Sequence, residues 1–139
     1  MARISGDHRK FEGDGKKLAS ISVDKVKRRY QESHGRHLVE QILCDSLKFN
    51  TTGYEKKFDF IFIDANHALE YVENDTCKAF EMRSERKSII IWHDYGNKEY
   101  LDNTKYLDQL SVKMPLYHVE ETMLVFSILD VKIPGRRFD

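Results

Sequence analysis

The chain has 139 residues, balanced at 23 Lys+Arg against 23 Asp+Glu, with 40% hydrophobic and 33% charged residues. That length suits one domain of the usual ~100–150 residues, and the composition supplies both a core and a soluble surface. No apolar run approaches the ~20 residues that span a bilayer, and the first ten residues hold no apolar signal core. Two cysteines without ligand spacing exclude a zinc ribbon or a disulfide scaffold.

Residues 1–17 are polar and without period, so they read as a loose leader to one domain over 18–139. Residues 18–23 (LASISV) are a short strand candidate ending at Asp24. A helix is expected over 25–34, with Val26 and Tyr30 on one face and Gly35 as its stop. Residues 37–43 (HLVEQIL) read as the next strand, ending at Cys44-Asp45-Ser46, and Thr51-Thr52-Gly53 supplies turn chemistry. Residues 58–63 (FDFIFI) form a near-continuous apolar run, as expected of a strand buried on both faces. A helix follows over 66–82, with Leu69, Val72, Thr76, Ala79 and Phe80 inward and Glu70, Glu73 and Glu81 outward. Residues 88–92 (SIIIW) are a second buried strand ending in His93-Asp94. A helix is expected within 98–110, using Leu101, Thr104, Leu107 and Leu110. Residues 116–120 and 123–129 then form two strands joined by Glu121-Thr122, an antiparallel connection.

This alternation predicts an α/β fold with a mostly parallel sheet and a C-terminal antiparallel strand pair. Ligands in such sheets bind beyond the carboxyl ends of the strands, and Asp24, Asp45, Asp64 and Asp94 each follow a predicted strand. Asp24 suits either a nucleotide ribose or the N-cap of the helix that follows. Asp45 with Ser46 suits an adenine edge or a plain turn. Asp64-Ala65-Asn66-His67 and His93-Asp94-Tyr95-Gly96 end adjacent strands. Two carboxylates and two imidazoles converging there suit a hard divalent cation, or general acid–base chemistry near neutral pH. The plainer roles are a helix cap for Asp64 and a satisfied, half-buried His93. His8, His34, His37 and His118 read as surface or packing residues, and Cys44 and Cys77 as buried thiols of a reducing, cytoplasmic compartment.

Residues 1–37 carry ten basic groups against five acidic, and the remainder reverses that balance. Lys25, Lys27, Arg28 and Arg29 read as a solvated helix face, because no aromatic residues interleave them to stack bases. Nucleic acid and membrane are therefore not expected partners.

Residues 58–67 (FDFIFIDANH), the following YVEND, residues 89–96 (IIIWHDYG) and the tail LYHVEETMLV resemble the class I S-adenosylmethionine-dependent methyltransferases, in particular small-molecule O-methyltransferases. The resemblance runs over about residues 18–129. It implies a Rossmann-like sheet, S-adenosylmethionine as cofactor, and methyl transfer to a small-molecule or sugar hydroxyl. By the same resemblance Asp24, Asp45, Ser46 and Asp64 hold the cofactor, while His67, His93 and Asp94 are catalytic. Asp64, His93 and Asp94 are also the candidate ligands of Mg2+. The family's first strand and glycine-rich loop need a strand–helix unit before the Asp24 strand, and only seventeen polar residues stand there. That unit is expected to be missing or degenerate, leaving a gap in the sheet beside the 58–63 strand. The chain then reads as a fragment or a divergent remnant, unless another segment fills the gap. Two alternatives follow. One is a non-catalytic methyltransferase-like module completed by a homo-oligomer or a partner chain. The other is a metal-dependent hydrolase built on Asp64, His67, His93 and Asp94.

Overall fold

Isoleucine and phenylalanine dominate the two central strands, and the side-chain period of two sorts them onto two faces. In a computed structural model that describes residues 2–4, 32 and 34–130, these strands are β2 (Phe60–Ile63) and β3 (Lys87–Trp92). They stand in a five-stranded sheet with β1 (Ala2–Ile4), β4 (Tyr117–His118) and β5 (Val125–Asp130). Two helices, α1 (Leu69–Met82) and α2 (Leu101–Lys113), follow β2 and β3 respectively. The sheet order is β1-β2-β3-β5-β4, with β1, β2 and β3 parallel and β5 antiparallel to both β3 and β4. The described part is therefore the expected mixed α/β sheet.

Ile61, Ile63, Ile90, Trp92 and Val125 form one sheet face and are buried against Ala79 and Met82 of α1 and Leu107 of α2. Burying each large apolar side chain contributes about 1.5–3 kcal/mol. Phe60 and Phe62, on the opposite face, are only half-buried, so the strand expected to be buried on both faces is fully buried on one. Trp92 donates its indole Nε1–H to Thr76 Oγ1 at 2.9 Å, satisfying the one polar atom of the largest core side chain. The turn from β4 to β5 places Glu121 at φ 59° and closes with Val119 N donating to Leu124 O at 3.0 Å.

Three expectations are corrected. Ala2–Ile4, read as part of a loose leader, forms β1 and pairs in register with Ile61, Phe62 and Ile63. It fills the place beside β2 that was expected to stand empty. Three residues are too few to show a hydrophobic period, and a parallel ladder is made by main-chain groups whatever the side chains are. Residues 37–43 do not form a described strand. They begin inside a 3-10 turn (Arg36–Leu38), and Leu38, Val39, Ile42 and Leu43 are all exposed, Leu38 at 79%. β-propensity marks a segment that fits a pleated sheet, but a strand exists only beside another strand. Cys44 and Cys77, read as buried, are both exposed. The strand at 18–23, nearly all of the helix at 25–34, the leader residues 5–17 and Asp24 lie outside the described residues. No helix among the described residues is long and apolar enough to cross a membrane.

Candidate functional site

Asp64 and His93 occupy equivalent places because Ile63 and Trp92 pair at the ends of parallel strands. His93 N extends that ladder by one rung, donating to Ile63 O at 3.0 Å. Beyond this point the chain turns sharply. Asp94 adopts φ 63° and Gly96 φ 74°, the left-handed region that Asp tolerates better than most residues and Gly enters freely. Three side chains of α2 clamp this turn. Asn103 Nδ2 donates to His93 O at 2.8 Å, Thr104 Oγ1 accepts from Gly96 N at 2.9 Å, and Asp108 Oδ1 accepts from Tyr95 OH at 2.8 Å.

Held this way, Asp94 becomes the hub of the site, and only 11% of its side chain is exposed. His67 Nε2 donates to Asp94 Oδ2 at 2.7 Å, and Asn97 Nδ2 donates to Oδ1 at 3.2 Å. His93 Nδ1 lies 2.9 Å from the same Oδ2 but off the line that a directed hydrogen bond needs, so this buried nitrogen lacks an aligned partner. Burial pushes the Asp94 carboxyl up, but the nearby His93 imidazole and the hydrogen bonds from His67 and Asn97 outweigh that effect. They hold it below the ordinary carboxylate value. Asp64 Oδ1 is 4.0 Å from His93 Nδ1, with about a third of each side chain exposed. His67 lies against Tyr100, the two rings parallel within 6° and their centroids 3.7 Å apart.

The structure thus brings together Asp64, His67, His93 and Asp94. Asp64 is not a helix cap: Ala68 holds the N-cap position of α1, and the Asn66 side chain accepts from Ala68 N at 2.9 Å. Asp64, His93 and Asp94 each present a ligand atom within 4.8 Å of the others, two carboxylates and an imidazole at the end of the sheet. The unaligned His93 Nδ1 fits a divalent ion, since a ligand imidazole needs a nitrogen not committed elsewhere.

Asp45 and Ser46 stand apart from that cluster. Asp45 caps the second 3-10 turn (Ser46–Lys48), its side chain accepting from Leu47 N at 3.0 Å. Ser46 is completely buried and so offers no surface to a ligand. Its carbonyl accepts from Asn74 Nδ2 and Lys78 Nζ, which fastens the turn to α1. His34, His37 and His118 are exposed, in keeping with surface roles.

Sequence reasoning missed Asn97, Tyr100 and Asn103, and gave Thr104 only a packing position on its helix. A signal existed for Asn103: it lies one helical turn before Leu107, and both are buried, so a polar residue occupies an apolar position. Nothing in the pattern distinguished Tyr100 from any other loop aromatic.

A family model described as a methyltransferase domain matches residues 3–95, from β1 through the turn that carries His93 and Asp94. No curated protein and no solved structure matches the chain.

Proposed function

The chain belongs to the methyltransferase-domain family, and from that premise we propose that it methylates a small-molecule hydroxyl using S-adenosylmethionine, with His67 as the general base. The observation that carries this reading is the His67–Asp94 hydrogen bond at the carboxyl ends of β2 and β3. A carboxylate on Nε2 fixes the tautomer that leaves the Nδ1 lone pair available to accept a proton. A hydroxyl is a poor nucleophile until its proton is drawn away, so it needs such a base.

Asp45 and Asp64 are this chain's described candidates for holding the cofactor, with Asp24 assigned on the resemblance alone; the buried Ser46 is no longer among them. When bound, S-adenosylmethionine supplies an electrophilic methyl group, whose bond to sulfur breaks as the substrate oxygen takes the carbon. His67 receives the hydroxyl proton at Nδ1. Asp94 stabilises the imidazolium that results and holds the ring in place. The clamp from Asn103 and Thr104 keeps Asp94 aimed at His67 throughout. Much of the acceleration in such a site comes from alignment, which a preformed cluster supplies before the substrate arrives.

Asp64, His93 and Asp94 are the residues that would hold a divalent metal, which would polarise the substrate oxygen. The imidazole among them suits Mn2+ or Zn2+ at least as well as Mg2+. Calorimetric titration with S-adenosylhomocysteine, with and without each metal, tests the reading, followed by mass spectrometry of hydroxylated acceptors. Binding of S-adenosylhomocysteine, the demethylated product, with methyl transfer that His67→Gln slows by about 10²- to 10⁴-fold supports it. No binding at millimolar ligand refutes it for this chain.

The exposed apolar residues Leu38, Val39, Ile42 and Leu43 favour a second reading, a methyltransferase-like module completed by another copy or a partner chain. A stable oligomer in light scattering, with no change in melting temperature on adding cofactor, supports it. A monomer stabilised by cofactor overturns it.

A further inference from the structure

We infer that Tyr100 is a positioning residue that locks the His67 imidazole against Asp94; the inference rests on His67 being the base proposed above. His67 sits in the loop between β2 and α1, with no strand or helix of its own to restrain it. Its hydrogen bond to Asp94 fixes one nitrogen, but a single bond leaves the ring free to swing about the line joining Nε2 to Oδ2. The parallel Tyr100 ring, 3.7 Å away, removes that freedom by fixing the plane. One contact sets where Nε2 points and the other sets the tilt, so between them they aim Nδ1.

Tyr100 and Asp94 are themselves joined. Tyr100 N donates to Asn97 O at 3.0 Å, and Asn97 Nδ2 donates to Asp94 Oδ1 at 3.2 Å. Asn97 Oδ1 also accepts from Glu99 N at 3.0 Å, which shapes the loop leading to Tyr100. Asn97 therefore couples the aromatic and the carboxylate restraint, and the two reach His67 as one unit.

The test compares Tyr100→Phe, which keeps the ring, with Tyr100→Leu and Tyr100→Gln, which remove it, in the full chain. Proton NMR at fixed pH reads the His67 Cε1 and Cδ2 hydrogens, which the Tyr100 ring shields. In both ring-free variants these resonances move downfield, and in Tyr100→Phe they stay. Steady-state kinetics should show kcat reduced by roughly 10- to 100-fold in the ring-free variants, the cost of a misaimed group. KM should stay within about twofold, since no substrate contact is lost, and Tyr100→Phe should restore kcat. In a His67→Gln background the ring-free substitutions should cost nothing further. Unmoved His67 resonances, or an equal loss of kcat in the His67→Gln background, overturn the inference. If the wild-type chain transfers no methyl group, the proposed function fails, and the resonances alone decide whether Tyr100 holds His67.

Discussion

Replacing Asp94 by Asn or by Ala separates the charge of the site from its backbone geometry. Asn keeps the shape and, like Asp, tolerates the left-handed conformation found here at φ 63°. What it loses is the carboxylate. One side of the new amide must present N–H groups to a donor, either His67 Nε2 or Asn97 Nδ2, which now both face Asp94 oxygens. The His67 contact, at 2.7 Å on a side chain 11% exposed, is a charge-assisted bond, and losing it costs about 1.5–3 kcal/mol. Asp94→Ala loses in addition the Asn97 bond, at about 1 kcal/mol, and lacks the short polar side chain whose local hydrogen bonds let Asp and Asn tolerate the left-handed backbone, at about 1–2 kcal/mol. The Ala variant should therefore unfold about 2–3 kcal/mol more easily than the Asn variant. Urea unfolding of both variants and the wild type, in chelator, measures these differences. In turnover, both should lose about 10²- to 10⁴-fold in kcat, the usual contribution of a positioned general base. Equal stabilities of the Asn and Ala variants would refute the account of the turn. A wild-type kcat in Asp94→Asn would refute the role of the carboxylate.

Thr76→Val leaves the Trp92 indole N–H unpaired in a site where both residues are at most 1% exposed. It should destabilise by about 1–3 kcal/mol, with Thr76→Ser near wild type, read from urea midpoints. At Gly96 a β-carbon would meet no atom within 4 Å, so Gly96→Ala isolates the strain of φ +74°. It should cost about 1–2 kcal/mol, and a stability equal to wild type by thermal melting would show that the turn relaxes. The hydrogen bond from Tyr95 to Asp108, followed by burial and the Asp108 charge, holds the phenol above its ordinary value. A raised folded pKa means that the contribution is complete below about pH 10 and is lost as pH rises through the folded value. Tyr95→Phe should therefore be about 0.5–1 kcal/mol less stable at pH 7, discounted for partial exposure. The gap should close in urea titrations well above pH 10, where a persistent difference would count against the bond as its source.

The elements with long, regular patterns were legible. Val72, Thr76 and Ala79 fall at helical spacing and are buried on α1, while Glu70, Glu73 and Glu81 face water as their positions require. The run at 88–92 marks β3 to within one residue. The acid at the end of β2 and the His-Asp pair at the end of β3 were legible as a joint site, because parallel neighbours bring their carboxyl ends to one rim. Residues 37–43 carry an equally good strand composition and form none that is described. Conversely, Ala2–Ile4 carries almost no signal and completes the pairing of β2.

The amino-acid order by itself determined the element types over 58–130 and the gathering of Asp64, His67, His93 and Asp94, since periodicity and strand-end position are local properties. It did not determine which oxygen meets which nitrogen. His67 lies 27 residues from Asp94, and their hydrogen bond depends on the left-handed turn at Asp94 and on the grip of α2 upon it. Those contacts, like the Tyr100 stack and the pairing of β1, join segments whose separation along the chain leaves no periodic trace. Only the closing of the fold decides them, through main-chain hydrogen bonds and a few well-placed side chains.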